Sequence, residues 1–166
     1  MTIEVFVNGR ARTKGSMRAI ANWSTQAVRQ VEEVADSKPW RAAVVNAIVP
    51  EITYITPVGV PGGGGRRLLR GYPWTGPVAV TLRFVMPWET RECPGGWPTS
   101  RQYGDLDKLT RNVLDALSVP KKKGDLCAGL YQDDSLVCKL DVTKRFVNPS
   151  VPEDEVGVLI TAWELE

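Results

Sequence analysis

Apolar and polar positions alternate from the start of the chain. Ile3, Val5 and Val7 stand against Glu4 and Phe6, which predicts a first strand over residues 2–8. A basic stretch bounded by glycines follows, from Gly9 through Arg10, Arg12, Lys14 and Gly15 to Arg18, and reads as a loop. Ser37 before Lys38-Pro39-Trp40 has the pattern of a helix N-cap with proline in the first turn. That helix is expected to run through Val49 and stop at Pro50. Residues 51–76 hold Pro57, Pro61, a glycine run at 62–65 and Arg66, Arg67 and Arg70, which predicts a loop or loose hairpin. Residues 77–86, ending in Phe84-Val85-Met86, are the strongest strand signal, and Pro87 ends it. An irregular stretch, 88–104, rich in Gly, Pro and Trp, comes next. From about Leu106 to Ser118, apolar residues at 106, 109, 113, 114 and 117 form one helical stripe. A loop with Lys121, Lys122 and Lys123 leads to Tyr131-Gln132-Asp133-Asp134, and two strands, near 135–147 and 156–165, complete the pattern. The order β-α-β-α-β-β, with no internal repeat and no linker, predicts one α/β (α+β) domain over residues 1–166: a mixed sheet with two main helices packed on it.

Composition narrows the chemistry. The chain has 166 residues and 43% apolar content, enough for a real core. No run of about 18 apolar residues suggests a membrane span, and the first residues lack the pattern of a signal peptide. Cys93, Cys127 and Cys138 are odd in number and form no CxxC pair, so neither a zinc ribbon nor a disulfide framework is indicated, and a reducing, cytoplasmic setting is expected. There is no histidine, which removes imidazole acid–base catalysis, Ser-His-Asp triads and imidazole ligands together. The net charge of +2 hides a gradient. Residues 1–104 carry 13 Lys/Arg against 7 Asp/Glu, while residues 146–166 carry none against 5. A basic N-terminal part suits a polyanionic partner.

The chemistry concentrates between Gly104 and Arg145. Asp105 and Asp107 sit where a loop runs into a helix, and Arg111 and Asp115 follow Asp107 at i+4 and i+8 on its polar face. Asp133-Asp134 precede a strand whose core-facing members read as Leu136, Cys138 and Leu140. If that strand lies beside the helix, Asp134 can join Asp105 and Asp107. Three carboxylates without histidine suit a hard cation such as Mg2+, which activates water for phosphodiester hydrolysis. Ordinary roles compete: Asp105 as a helix cap, Asp107 as a complement to the helix dipole, Asp133-Asp134 as a turn, and Asp115 with Arg111 as a surface ion pair.

The combination Asp105-Leu-Asp107-Lys108-Leu-Thr-Arg111-Asn-Val-Leu-Asp115-Ala-Leu117, then Asp133-Asp134-Ser-Leu-Val137, then Lys144, resembles the core of the RusA family of Holliday junction resolvases. The resemblance covers residues 105–145 closely. It implies a small dimeric endonuclease of phage or prophage type that cuts four-way DNA junctions by paired nicks with Mg2+ or Mn2+. It places the family's essential aspartates on Asp105, Asp107 and Asp134, and its essential lysine on Arg111. Two residues depart from the pattern: Arg111 keeps the charge but is no tunable proton donor, and Lys108 stands where asparagine is usual. The chain is longer than compact family members, through insertions near 51–76 and 88–104.

The candidate DNA-contacting cations are Arg10, Arg12, Lys14 and Arg18, with Lys108 and Lys144 nearer the carboxylates; an ordinary solvated basic loop is the alternative. The glycine run is not a P-loop, because no Gly-Lys-Ser/Thr follows it. Trp88 and Trp97 flank the second insertion and are able to stack on unpaired bases, although core or loop anchoring suits most of the tryptophans. Two other functions fit the same residues: a broader structure-selective nuclease for flaps and forks, and a DNA-binding protein without catalysis.

Overall fold

The computed structural model describes residues 1–14, 17–22, 27–32, 37–55, 65–88 and 96–166, with backbone alone at 17–22, 27–32 and 55. The strand with the strongest sequence signal lies at the centre. β6 (Val78–Met86) is buried at Val78, Ala79, Val80, Leu82, Phe84, Val85 and Met86 because neighbours flank it on both sides. It pairs antiparallel with β8 (Gly157–Glu164) and parallel with β7 (Val137–Phe146), and β1 (Thr2–Asn8) adds antiparallel to β8, giving the order β1-β8-β6-β7. A parallel neighbour needs a crossover, and α2 (Leu106–Leu117) supplies it between β6 and β7.

The register aligns apolar rows across one face. Ile3, Ala162, Val80 and Leu140 form one row, and Val5, Ile160, Leu82 and Val142 the next. α1 (Ser37–Ile52) and α2 pack on this face: α1 buries Trp40, Val44, Ile48 and Ile52 at helical spacing, and α2 buries Leu109, Val113, Ala116 and Leu117. The opposite face shows Glu4, Thr161, Thr81, Arg83 and Asp141, with the Arg83 guanidinium donating to both carboxylate oxygens of Asp141. The molecule is one mixed α+β domain, and its main elements follow the predicted order. No helix among the described residues is long and apolar enough to cross a membrane.

Three local expectations are corrected, and a fourth, the loop or loose hairpin over 51–76, is narrowed to a hairpin. α1 does not stop at Pro50 but continues to Ile52. Proline deletes one hydrogen bond near the helix end, where carbonyls lack partners anyway, and the Thr53 hydroxyl caps the Val49 carbonyl at 2.6 Å. The basic loop ends earlier than expected: Arg18 lies on β2 (Met17–Asn22), which pairs with β3 (Ala27–Glu32) as a two-stranded ribbon. Within 51–76, β4 (Thr53–Ile55) and β5 (Arg66–Leu68) pair, so the insertion is a hairpin, with the glycines at 62–64 outside the described residues. Finally, Cys138 and Leu140 are exposed rather than core-facing, Leu140 at 46%. Leu140 does lie on the helix-bearing side, but β7 is an edge strand and α2 does not reach across it. Cys138 falls where the β6–β7 register shifts by one residue.

Candidate functional site

The uncovered strip between α2 and β7 is a groove of about 470 Å³. Its apolar wall is Leu106, Leu114, Leu140 and Val142, and Asp107, Thr110, Arg111 and Asp134 complete the lining. Residues 107, 110, 111 and 114 repeat at i, i+3, i+4 and i+7, which puts them on one helix face. Leu109, Val113 and Leu117 anchor the other face in the core, so the groove face has a fixed orientation.

Asp134 arrives from a different part of the chain by a continuous set of bonds. After α2 the chain folds back, and the amides of Ala128, Gly129 and Leu130 donate to the carbonyls of Ala116, Ser118 and Leu117. Trp74 then brackets the segment, donating to the Leu130 carbonyl and accepting from the Gln132 amide. Tyr131 is fully buried and its hydroxyl donates to the Leu114 carbonyl at 2.8 Å; burial pushes its pKa well above the usual phenol value. The following 3-10 turn, Asp134–Leu136, is capped by Asp133, whose carboxylate accepts from the Ser135 amide at 3.0 Å. Asp133 also pairs with Lys121 at 2.8 Å, and these contacts, Lys121 first, hold its pKa well below the ordinary carboxylate range. Asp133 is thereby occupied in shaping the turn, and Asp134 is left facing the groove.

Among the described residues, no cation stands within ion-pair distance of Asp107 or Asp134, and no carboxylate within that distance of Arg111. Asp105 is the residue before α2 and makes no side-chain cap bond; it pairs with Lys108 at 3.2 Å. Three of the four candidate catalytic residues therefore share one groove, and Asp105 sits at its upstream end without lining it. Among the described residues, no three carboxylate or thiol side chains are grouped to hold an ion in common, so the expected convergence of all three aspartates is not preformed.

Asp115 does not share the groove and does not pair with Arg111. At 100° per residue it overshoots Asp107 by about 80°, which turns it into a neighbouring polar cleft. There it binds the ammonium of Lys14 and lies 3.7 Å from the Arg41 guanidinium. Fully buried Asn112 completes the network, accepting from Arg41 Nε and Nη2 at 3.2 and 3.0 Å and donating to the Arg12 carbonyl at 2.9 Å. The Lys14 amide donates to the Lys108 carbonyl at 3.1 Å, and Arg10 Nη2 to the Gln102 carbonyl at 3.0 Å.

Residues 10–14 are thus fastened along α2 rather than forming a free basic loop, and the Lys14 charge is largely committed to Asp115. Arg10 and Arg12 line a separate cleft with Trp40, and Arg18 is on β2, where backbone alone is described. Sequence reading missed Arg41 and Asn112. The available signal was a lone amide, Asn112, between Leu109 and Val113 on an otherwise apolar stripe.

The fold and groove define a mixed α+β domain with an acidic, arginine-bearing groove at a sheet edge. No known family model matches the chain, and no curated protein is similar to it beyond chance.

Proposed function

We propose that this chain is a metal-dependent endodeoxyribonuclease of RusA type that resolves four-way DNA junctions by paired nicks. The observation that carries the reading is the shared groove of Asp107, Arg111 and Asp134, whose charges lack ion-pair partners among the described residues. Two exposed carboxylates are hard oxygen donors, and Mg2+ ordinarily uses one or two carboxylates plus waters and substrate phosphate, not a closed protein cage. Asp107 and Asp134 are the residues to hold Mg2+ or Mn2+, with Asp105 joining if Lys108 releases it. Bound there, the ion supplies an activated water and charge stabilisation at the phosphate. Arg111 grips the scissile phosphate as a fixed, bidentate donor. The leucine wall lowers the local dielectric and strengthens that contact. Lys108, half-buried beside Asp105, is the cation proposed to meet a flanking phosphate.

Paired nicks require two grooves, so the reading includes a C2 homodimer, acting in the cytoplasm of a bacterial host. The deciding experiment offers a synthetic four-way junction, a flap and a linear duplex with Mg2+ and with EDTA. Symmetric cutting of the junction alone, lost in EDTA and in Asp107→Asn while junction binding persists, is the expected result. Equal cutting of flaps makes the protein a broader structure-selective nuclease. Binding without cutting in any metal makes it a DNA-binding protein, and undiminished cutting in EDTA sinks the metal mechanism.

A further inference from the structure

Lys144 occupies an unusual place on the sheet. Its row across the helix-bearing face is Val7, Val158 and Phe84, all buried and apolar. An aliphatic residue would continue that row without desolvating a charge. Instead the half-buried ammonium reaches the Gly104 carbonyl at 2.7 Å. Burial pulls its pKa down, and the negative charge of Asp105 opposes that.

The bond falls on a constrained peptide. Gly104 has φ 75° and ψ 158°, a conformation that side chains disfavour, and a Cβ there would stand 2.4 Å from Thr13 Cγ2. The Gly104 amide is committed to the Arg101 carbonyl at 3.0 Å. The next carbonyl, that of Asp105, accepts the first helical bond, from the Leu109 amide at 3.0 Å. Thr13 therefore backs the peptide from one side and Lys144 holds its carbonyl from β7. The peptide plane between Gly104 and Asp105 sets the direction in which α2 starts, and so where Asp105 and Asp107 are presented.

We propose that Lys144 is a positioning residue for the Asp105–Asp107 start of α2, acting through the Gly104 carbonyl and not as a DNA contact. Its effect on chemistry rests on the nuclease reading above; its hold on the peptide does not.

Lys144→Met keeps the stem and removes the donor, and Lys144→Arg restores one. Three readouts separate the roles: hydrogen exchange of amides 104–109, junction affinity in Ca2+, and single-turnover cutting in Mg2+. In Lys144→Met, the hydrogen-bonded amides of Gly104 and Leu109 are expected to exchange at least about tenfold faster while 110–117 keep their protection. Junction affinity stays within about twofold, whereas the loss of a phosphate contact weakens it and flattens its salt dependence. Cutting by the bound complex falls at least about tenfold, and Lys144→Arg recovers exchange and cutting to within about threefold. Unchanged exchange in Lys144→Met overturns the proposal. So does weakened junction binding with an unchanged rate in the bound complex, or faster exchange with unchanged cutting. If the wild-type protein cuts no DNA, the nuclease reading falls separately, and the exchange comparison still decides whether Lys144 holds the peptide.

Discussion

Asn112→Ala tests the network that fastens residues 10–14 to α2. The residue is fully buried, and its amide makes three hydrogen bonds, two from the Arg41 guanidinium and one to the Arg12 carbonyl. Truncation removes a charge-assisted acceptor, worth about 1.5–3 kcal/mol, and strands a carbonyl at a further cost of about 1–3 kcal/mol. Arg41 keeps its contact with Asp115 at 3.7 Å, which offsets part of the first loss. A net destabilisation of about 2–4 kcal/mol is expected, and for a domain of this size about 2–4 °C of Tm per kcal/mol gives a fall of roughly 5–15 °C. Urea unfolding reads it as a lower midpoint at unchanged slope. Asn112→Asp preserves the acceptor for Arg41 but turns an oxygen toward the Arg12 carbonyl, so it should recover less than half of the loss. A loss under about 0.5 kcal/mol in Asn112→Ala would refute the reasoning, since that is the range of surface substitutions. An Asp variant as stable as wild type would show that the bond to Arg12 contributes nothing.

Three more outcomes follow from the same structure. Arg111→Ala should slow single-turnover junction cutting at least tenfold, about 1.4 kcal/mol of barrier, while changing stability by under about 0.5 kcal/mol because the residue has no ion-pair partner among the described residues to lose; an alanine variant as fast as wild type removes Arg111 from the site. Gly104→Ala should destabilise by about 2–3 kcal/mol from positive φ and the clash with Thr13, and adding Thr13→Ala should return the steric part only; full recovery, or no loss at all, contradicts the geometry. The Arg145 guanidinium and the Asn148 amide hold Asp154 down to about 2. A depressed carboxylate contributes stability above its unfolded pKa, near 4, that is lost as pH falls toward 2. Urea midpoints should therefore fall less steeply over that window in Asp154→Asn than in wild type, and parallel profiles would remove Asp154 from the acid response.

The parts of the fold written as long, single-period patterns were legible. The stripe at 106, 109, 113, 114 and 117 placed α2, with Leu109, Val113 and Leu117 on its core face and Leu106 and Leu114 in the groove wall, and continuous apolar residues placed β6. What sequence could not supply was how far one element reaches over another. Leu140 reads as core because its strand face is correct, yet its exposure depends on where α2 ends laterally. Asp115 reads as a partner of Arg111 because i+4 spacing makes them neighbours, yet Lys14 and Arg41, from distant segments, take it. The ribbon of β2 and β3 gave little warning, since Met17–Asn22 and Ala27–Glu32 are short and neither is strongly apolar. The clustering of Asp107 with Arg111 was local and readable. Its meeting with Asp134 depended on a strand lying beside the helix, which the β-α-β crossover provides.

The pairing of β1 with β8 also governs the order in which this protein can assemble. Thr2 stands opposite Trp163 and Asn8 opposite Gly157, so among the described strands the first made is completed by the last. While the chain is being synthesised, Ile3 and Val7 have no sheet to join until residues 157–164 emerge. β8 also supplies the antiparallel neighbour of β6, so the central strand lacks one of its two flanks until the same moment. Closing so long a loop delays the reward of pairing. Until β8 is made, the apolar residues of β1 lack the strand that pairs with them and are open to association with other chains.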